Sequence, residues 1–180
     1  MTIRELLKQE ICRELYRPFI RRQVVNRCWR KIQGDWVLQD IAFVDDWTEP
    51  DYEDLIRELG QTIEDGGMVC GAFAGEQLKG FASMAGTPLG SAGQYMDLTN
   101  LYVSADCRRE GIGKALFSHC AAWAQSRGAE KLYLSAHSAE ESQSFYRSMG
   151  CREAEEYSPF HVAKEPCDCQ MECLIGGEHE

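Results

Sequence analysis

Two glycines one residue apart, behind two arginines and ahead of an apolar helical run, narrow the fold more than any other stretch of this chain. The stretch is "CRREGIGKAL" at 107–116. It follows a strand-like run, "QYMDLTNLYVS", and opens "GKALFSHCAAWAQSRG". In that second run Leu116, Phe117, Cys120 and Trp123 share one helical face and Gly128 marks the stop. A loop that leaves a strand and enters a helix aims backbone N–H groups and the positive end of the helix dipole at the turn. Gly111 and Gly113 remove side chains where another backbone has to come close, and Arg108, Arg109 and Lys114 add cations. The ligand so described is an anion of pyrophosphate type. The bland alternative is a plain strand-to-helix turn with exposed basic residues. Neither the dinucleotide fingerprint G-x-G-x-x-G nor the P-loop G-x-x-x-x-G-K-[ST] is present.

The rest of the chain reads as alternating hairpins and helices. "TIRELLKQEICRELYRPFI" spaces Ile3, Leu6, Leu7, Ile11 and Leu15 as an amphipathic helix that Pro18 stops. Its mixed polar face fits packing on its own domain or a partner chain better than a membrane surface. β-Branched and aromatic residues on either side of "QGD" predict a hairpin, and "WTEPDYEDLIRELGQTIEDGG" predicts a helix capped by Thr48 with Pro50 in its first turn and Gly66–Gly67 at its end. A second hairpin turns at Gly75-Glu76, and "TPLGSAG" is a loop. After the glycine stretch come a short buried strand, "KLYLSA", and a helix whose Ser138 and Glu141 have capping-box spacing and whose stop is Gly150. One or two strands close the chain before a polar end, "GGEHE". Antiparallel hairpins and βαβ crossovers in one sheet make this a mixed α/β (α+β) domain.

Charge bounds the partners. The formal net charge is −10, but residues 1–48 carry nine Lys/Arg against seven Asp/Glu while the remainder carries ten against twenty-two. An acidic chain is a poor match for nucleic acid or an anionic membrane and a good one for a cationic substrate. The 180 residues suffice for one core domain, read as an extension over 1–48 and a main unit over 49–180. The nine cysteines fall mostly inside apolar segments. With a charged N-terminus and no apolar run of membrane length, they predict reduced thiols in a cytoplasmic protein.

The six residues Arg108-Arg109-Glu110-Gly111-Ile112-Gly113 match R/Q-x-x-G-x-G/A. On them, and on the run "DLTNLYVSADCRREGIGKALFSHCAAWAQSRGAEKLYLSAHSAEESQSFYRSMGC" that ends in a Y-x-x-x-G-F-like segment at Tyr146–Cys151, the chain resembles the GNAT superfamily of acyl-CoA-dependent N-acyltransferases. The likeness spans about residues 68–157. Two positions depart from the pattern: Cys151 stands where an aromatic is usual, and Ala139 where many members carry an Asn, with Ser138 and Ser135 as nearby polar groups.

The resemblance implies a central mixed sheet with two splayed parallel strands, 94–104 and 131–136, flanked by helices, with acetyl-CoA as co-substrate in the gap. The backbone of Leu101, Tyr102 and Val103 would pair with the pantetheine. Arg108, Arg109, Gly111, Ile112, Gly113 and Lys114 would hold the pyrophosphate. Tyr146 would donate to the leaving thiolate, since a phenol near pKa ~10 stays protonated at neutral pH; the plainer reading is a core aromatic beside Phe145. A backbone N–H at or near Val103 would polarise the carbonyl. Asp97, eleven residues before Arg108, takes the place of a glutamate in the histone-acetylating branch and is the candidate base. Strand parity puts it on the face of Val103 and puts Asn100 on the other face. An ordinary solvated carboxylate is the alternative reading.

The acceptor pocket is expected from the chain before residue 68 and from the loop 86–93. Asp45, Asp46, Trp47 and Tyr52 could hold an ammonium by charge and cation–π contact, or simply complete an acidic helix entry. Cys167, Cys169 and Cys173 would form a row along a strand, with His161 upstream, which suits buried thiols and not a tetrahedral metal site. The expected function is transfer of an acetyl group to the primary amine of a cationic small molecule. A protein or peptide amine is a live alternative, and a non-catalytic acyl-CoA-binding module is the alternative of another class. The 1–48 extension could shape the acceptor mouth or supply a homodimer surface.

Overall fold

Short apolar runs between turn residues make strands, and amphipathic runs between caps make helices. The computed structural model describes residues 1–175, so the polar end "GGEHE" lies outside the described residues. In chain order the elements are β1 (Thr2–Glu5), β2 (Arg22–Ile32), β3 (Asp35–Asp46), α1 (Glu49–Glu64), β4 (Met68–Ala74), β5 (Gln77–Met84), β6 (Tyr95–Val103), α2 (Ile112–Ser126), β7 (Lys131–Ala136), α3 (Glu140–Ser148), β8 (Arg152–Glu153), α4 (Pro159–Lys164) and β9 (Cys169–Leu174). Short 3-10 turns occupy Lys8–Glu10, Arg13–Tyr16 and Ala105–Cys107. Among the described residues no helix is long and apolar enough to cross a membrane.

Seven strands form one sheet in the order β1-β4-β5-β6-β7-β9-β8, and β2 and β3 form a separate hairpin. All neighbours in the large sheet are antiparallel except β6 and β7. One face carries α2, whose Leu116, Phe117, Cys120 and Ala124 pack on Ala82, Met84, Met96, Leu98, Leu132, Leu134 and Met171. Trp123 is only half-buried there, with Arg127 4.3 Å from its ring centroid. Gly80 lets the helix settle close, because a Cβ at that position would lie 2.9 Å from Ile112 Cγ2. The other face carries α1, through Tyr52, Leu55 and Leu59, together with Leu6, Ile11, Tyr16 and Phe19. A fully buried leucine such as Leu59 contributes about 1.5–3 kcal/mol relative to an exposed one.

Three sequence expectations about local structure change. The N-terminal amphipathic helix is absent: Thr2–Glu5 pairs antiparallel with Phe73–Cys70 on β4, and the chain continues in two 3-10 turns. The buried residues that follow are Leu6, Ile11 and Tyr16, five apart, while Leu7 lies 60% exposed. Covering the open edge of an apolar seven-residue strand outweighs helix propensity over so short a stretch. Next, Ser138 does not cap α3; the cap position is Ala139. The Ser138 carbonyl instead accepts from Trp29 N at 2.8 Å, and Ala139 bridges Cys28 of the hairpin. Last, α4 was not foreseen. Ser158 caps it and Pro159 starts it, a helix entry of only six residues.

The remaining elements stand as expected. The first hairpin turns at Gln33 and Gly34, both with positive φ (51° and 92°), the backbone that suits a two-residue turn. Asp51 accepts from the N–H and hydroxyl of Thr48 at the start of α1, both at 2.7 Å. The hairpin of β2 and β3 is a strut. Its beginning is pinned to the end of β6, where Ala105 N donates to Ile20 O and Ile20 N to Ser104 Oγ, both at 2.9 Å. Its middle is pinned to the start of α3 by Trp29 and by a two-bond Arg27–Glu140 ion pair at 2.8 and 2.9 Å.

Candidate active site

β6 and β7 pair for three residues only, Tyr95↔Lys131, Met96↔Leu132 and Asp97↔Tyr133. Beyond them β6 stays with β5 as far as Val103, and β7 stays with β9 as far as Ala136. The two parallel strands therefore part into a V whose inner edges carry backbone groups in need of partners. A buried carboxylate locks the closed end. Glu172 on β9 accepts from Tyr95 on β6 (2.5 Å), Lys131 on β7 (2.9 Å) and Arg152 on β8 (2.8 Å). Burial pushes its carboxyl up, but these bonds and one from Glu155 N outweigh it and hold the pKa at about 2.

A β-bulge decides what each face of the V presents. The register between β5 and β6 passes from Ser83↔Asn100 to Met84↔Leu98, which inserts Thr99. Met96 and Leu98 face α2, and so do Leu101 and Val103; Asp97, Asn100 and Tyr102 face the other way. The simple parity argument is thereby corrected. Asp97 lies on the face opposite Val103, and Asn100 shares the face of Asp97, donating to Glu58 of α1 at 3.3 Å.

On the α2 side the glycine loop closes the open end of β6. Ser104 and Asp106 bond each other, and Lys79 pairs with Asp106 at 2.7 Å, which pins the turn. Arg109 and Gly111 both adopt left-handed backbone, φ 67° and 81°, and Gly111 is the residue before α2. The first bond into α2 runs from Ala115 N to Gly111 O at 3.0 Å, so Ile112, Gly113 and Lys114 keep N–H groups without intrahelical partners. Gly113 serves packing: a Cβ there would meet the Phe145 ring at 3.2 Å. Arg108 turns away and donates to Arg22 O at 2.6 Å, while burial, and then Arg21 nearby, push its pKa down. Tyr146 packs on this layer beside Phe117 and Phe145 and lines the cleft. Burial pushes its phenol up, so it keeps its proton at neutral pH.

The opposite side was only partly legible. Asp97 is buried, its Oδ2 2.7 Å from His161 Nε2 and its Oδ1 without a partner. His161 stands on α4 and stacks on Tyr133, with ring centroids 5.5 Å apart and planes at 21°. The Tyr133 hydroxyl accepts from Ser158 N at 2.9 Å and bonds Gln170 at 2.5 Å, while burial pushes its phenol up to about 12. Ser135 donates to Asp168 at 3.1 Å; that carboxyl is pushed up by burial, against the pull of the Ser135 bond. Sequence reasoning named His161 only beside the cysteines. Its one local signal is the Ser158-Pro159 helix entry.

One acceptor expectation is corrected and one keeps both its readings. At 45–52, Asp45 and Trp47 line the cleft and Asp51 completes the helix entry with Thr48, while Arg21 pairs with Asp45 and lies 5.2 Å from the Trp47 ring, and Arg13 lies 4.0 Å from the Tyr52 ring. The loop 86–93 does not line the cleft; Ser91 within it is tied to Glu156 at 2.7 and 2.8 Å. The acidic groups that do line it include Asp54 and Glu58 of α1, Glu140 and Glu141 of α3, and Glu165 and Asp168 before β9. Cys169 and Cys173 are buried in β9, whereas Cys167 is exposed ahead of it, and all nine cysteines are free.

The family model described as "Acetyltransferase (GNAT) family" matches residues 29–151. No curated protein matches the chain in sequence. Among solved structures, nourseothricin acetyltransferase aligns with a TM-score of 0.70 at 13% identity, over 97% of this chain and 98% of the other. A protein named as a streptothricin acetyltransferase from Bacillus anthracis str. Ames, in complex with acetyl coenzyme A, gives 0.71 at 14%, over 96% and 97%. Aminoglycoside 6'-acetyltransferase type Ii gives 0.62 at 17%, over 99% and 100%. Such identities speak for the fold, and the family match extends from the hairpin to the end of the closing Tyr146–Cys151 segment. The V, the loop of free N–H groups and the family match agree: this chain belongs to the GNAT family of acyl-CoA-dependent acetyltransferases.

Proposed function

We propose that the protein transfers an acetyl group from acetyl-CoA to the primary amine of a cationic small molecule by direct attack. The observation that carries this reading is the V itself, a parallel pair that parts after three residues beside a loop of free N–H groups. The pantetheine pairs with the edge at Leu101, Tyr102 and Val103. The pyrophosphate lies on the amides of Arg108, Arg109, Gly111, Ile112, Gly113 and Lys114, with the Arg109 and Lys114 side chains adding charge. The amine nitrogen attacks the thioester carbonyl carbon, whose oxygen takes a hydrogen bond from an N–H at or near Val103. As the carbon–sulfur bond breaks, Tyr146 donates its proton to the thiolate. The ammonium proton leaves on the opposite face of the sheet, where Asp97 lies.

The acidic lining of that face supports a cationic acceptor, and solved structures of this fold include acetyltransferases named for streptothricin and aminoglycoside antibiotics. The hairpin within 1–48 roofs that face, with Gln23, Val24 and Phe43 among the lining residues, so the extension shapes the acceptor mouth. The free thiols fit a reducing, cytoplasmic setting.

The test is release of free CoA thiol from acetyl-CoA with streptothricin, kanamycin, spermidine and a peptide N-terminus as acceptors, run beside Tyr146→Phe. Turnover with a cationic small molecule is expected, reduced about 100-fold or more in the variant. Calorimetric binding of acetyl-CoA with no amine accelerating thiol release would make this a non-catalytic binding module.

A further inference from the structure

We propose that His161 on α4 is the base that takes the proton from the acceptor amine, and that Asp97 is the residue that positions it. This rests on the acetyl-transfer reading above and names the group on its acceptor side. The geometry starts from the hydrogen bond between Asp97 Oδ2 and His161 Nε2 at 2.7 Å, between residues 64 apart in the chain. With Asp97 as acceptor, Nε2 carries the hydrogen and Nδ1 keeps its lone pair. Nδ1 has no partner among the described residues and is not sealed in, because the ring lines the cleft with 14% of the side chain exposed.

Everything around the ring holds it still. Tyr133 stacks on its face, and the Tyr133 hydroxyl holds Ser158 N at the start of α4. Gln170 fixes that hydroxyl from β9 and also donates to Ser135. A short surface helix thus sits on a buried polar network, and the fixed object in it is an imidazole at the fork of the two parallel strands. Both residues line the cleft, but Asp97 has one oxygen committed to the ring and only 7% of its side chain exposed, against 14% for His161. An imidazole near neutrality is also the better base for an alkylammonium, since an ordinary carboxylate sits near pKa ~3.9 and an imidazole near ~6.5. The step balances: Nδ1 first takes one proton from the bound alkylammonium, which frees the nitrogen lone pair to bond to the carbonyl carbon; the second N–H proton, lost as the carbon–sulfur bond breaks, replaces the one Tyr146 gives the thiolate, and the imidazolium is stabilised by Asp97.

Asp97 from β6 and Tyr133 from β7 touch the ring, and Asp168 before β9 lies near it; His137 and Glu165 lie near Asp168, and Lys164 on the ring's own helix also lines the cleft. The acids outnumber the cations, so the imidazolium formed by the transfer has compensation at hand.

Two measurements decide it. The first is the 15N spectrum of the resting protein. At pH 7.5 the neutral form of the His161 ring is expected to carry its hydrogen on Nε2, facing Asp97; a neutral ring with its hydrogen on Nδ1 would overturn the proposal. The second compares His161→Gln with wild type, using acetyl-CoA with spermidine, an alkylammonium, and with hydroxylamine, which is already neutral at that pH. The variant is expected to lose roughly 100-fold in kcat/KM for spermidine and little for hydroxylamine, with its rate now rising in proportion to hydroxide. Equal losses for both nucleophiles, or an unchanged pH profile, would sink the idea. Asp97→Asn keeps the shape should His161→Gln fold poorly; it is expected to lose at least tenfold for spermidine and to change the ring tautomer. If wild type binds acetyl-CoA but turns over no cationic amine, the acceptor reading above fails, and the ring's tautomer still judges His161.

Discussion

The two faces of the V are built in different ways. The α2 face draws its loop, its helix start and its strand edge from one unbroken stretch, residues 95–114, and every hydrogen bond that shapes the turn is short in sequence apart from those to Lys79 and residues 20–22. The α1 face collects Glu58, Asp97, Tyr133, His161 and Asp168 from four elements and the turn before β9, spread across the chain. A phosphate group needs donors and a dipole, which a single loop can supply. Moving a proton at a chosen atom needs an oriented imidazole or carboxylate, and orientation comes from packing between distant elements. The first kind of site travels as a motif; the second has to be assembled by the fold.

That contrast can be tested where the two faces meet and then on each side. The largest effect is expected at Glu172, which ties the closed end for both. Glu172→Gln removes the charge facing Lys131 and Arg152 and should cost about 2–3 kcal/mol, a fall in Tm of roughly 4–12 °C. Its folded pKa of about 2 lies below the ordinary glutamate value of 4.5, so the stability it adds is present above about pH 4.5 and is lost as pH falls toward 2. Acid melts of the variant should lack the part of the slope that wild type shows in that window. A smaller effect is expected on the α1 face: Glu58→Gln should raise KM for a cationic acceptor by up to about fivefold, as befits one exposed charge, and leave KM for acetyl-CoA alone. The smallest concerns Arg109, a non-glycine in left-handed backbone. Arg109→Gly should relieve about 1 kcal/mol of strain, seen as a slight rise in Tm, while acetyl-CoA binds a few-fold more weakly and acceptor KM stays unchanged. Crossed effects, with Arg109 altering the acceptor or Glu58 the cofactor, would erase the distinction between the faces.

The sequence disclosed what is local. The caps and stops of α1 and α2, both hairpins and the strand before the loop could be placed because each depends on neighbours a few residues away. Thr2–Glu5 misled because its strand state depends on the edge of β4, some seventy residues on. Ser138 and Glu141 have the spacing of a cap, yet the hairpin claims Ser138 and Ala139 for itself. The faces of Asp97 and Asn100 were misjudged because Thr99 is an extra residue in the ladder, and a period-2 argument cannot see a bulge. His161 stayed hidden for a related reason. Its helix is six residues long, and its partner lies on a strand at the centre of the sheet.

The ends of the large sheet carry a practical lesson about handling the protein. One border is β1, four residues with Arg4 and Glu5; the other is β8, two residues, Arg152 and Glu153. Short charged borders discourage a second molecule from adding its own strand. Behind β1, however, lies "MVCGAFA", seven residues without a charge or a proline among them. Trimming the first five residues would bare that border. The loss would show in the test tube as aggregates long before it showed in an assay.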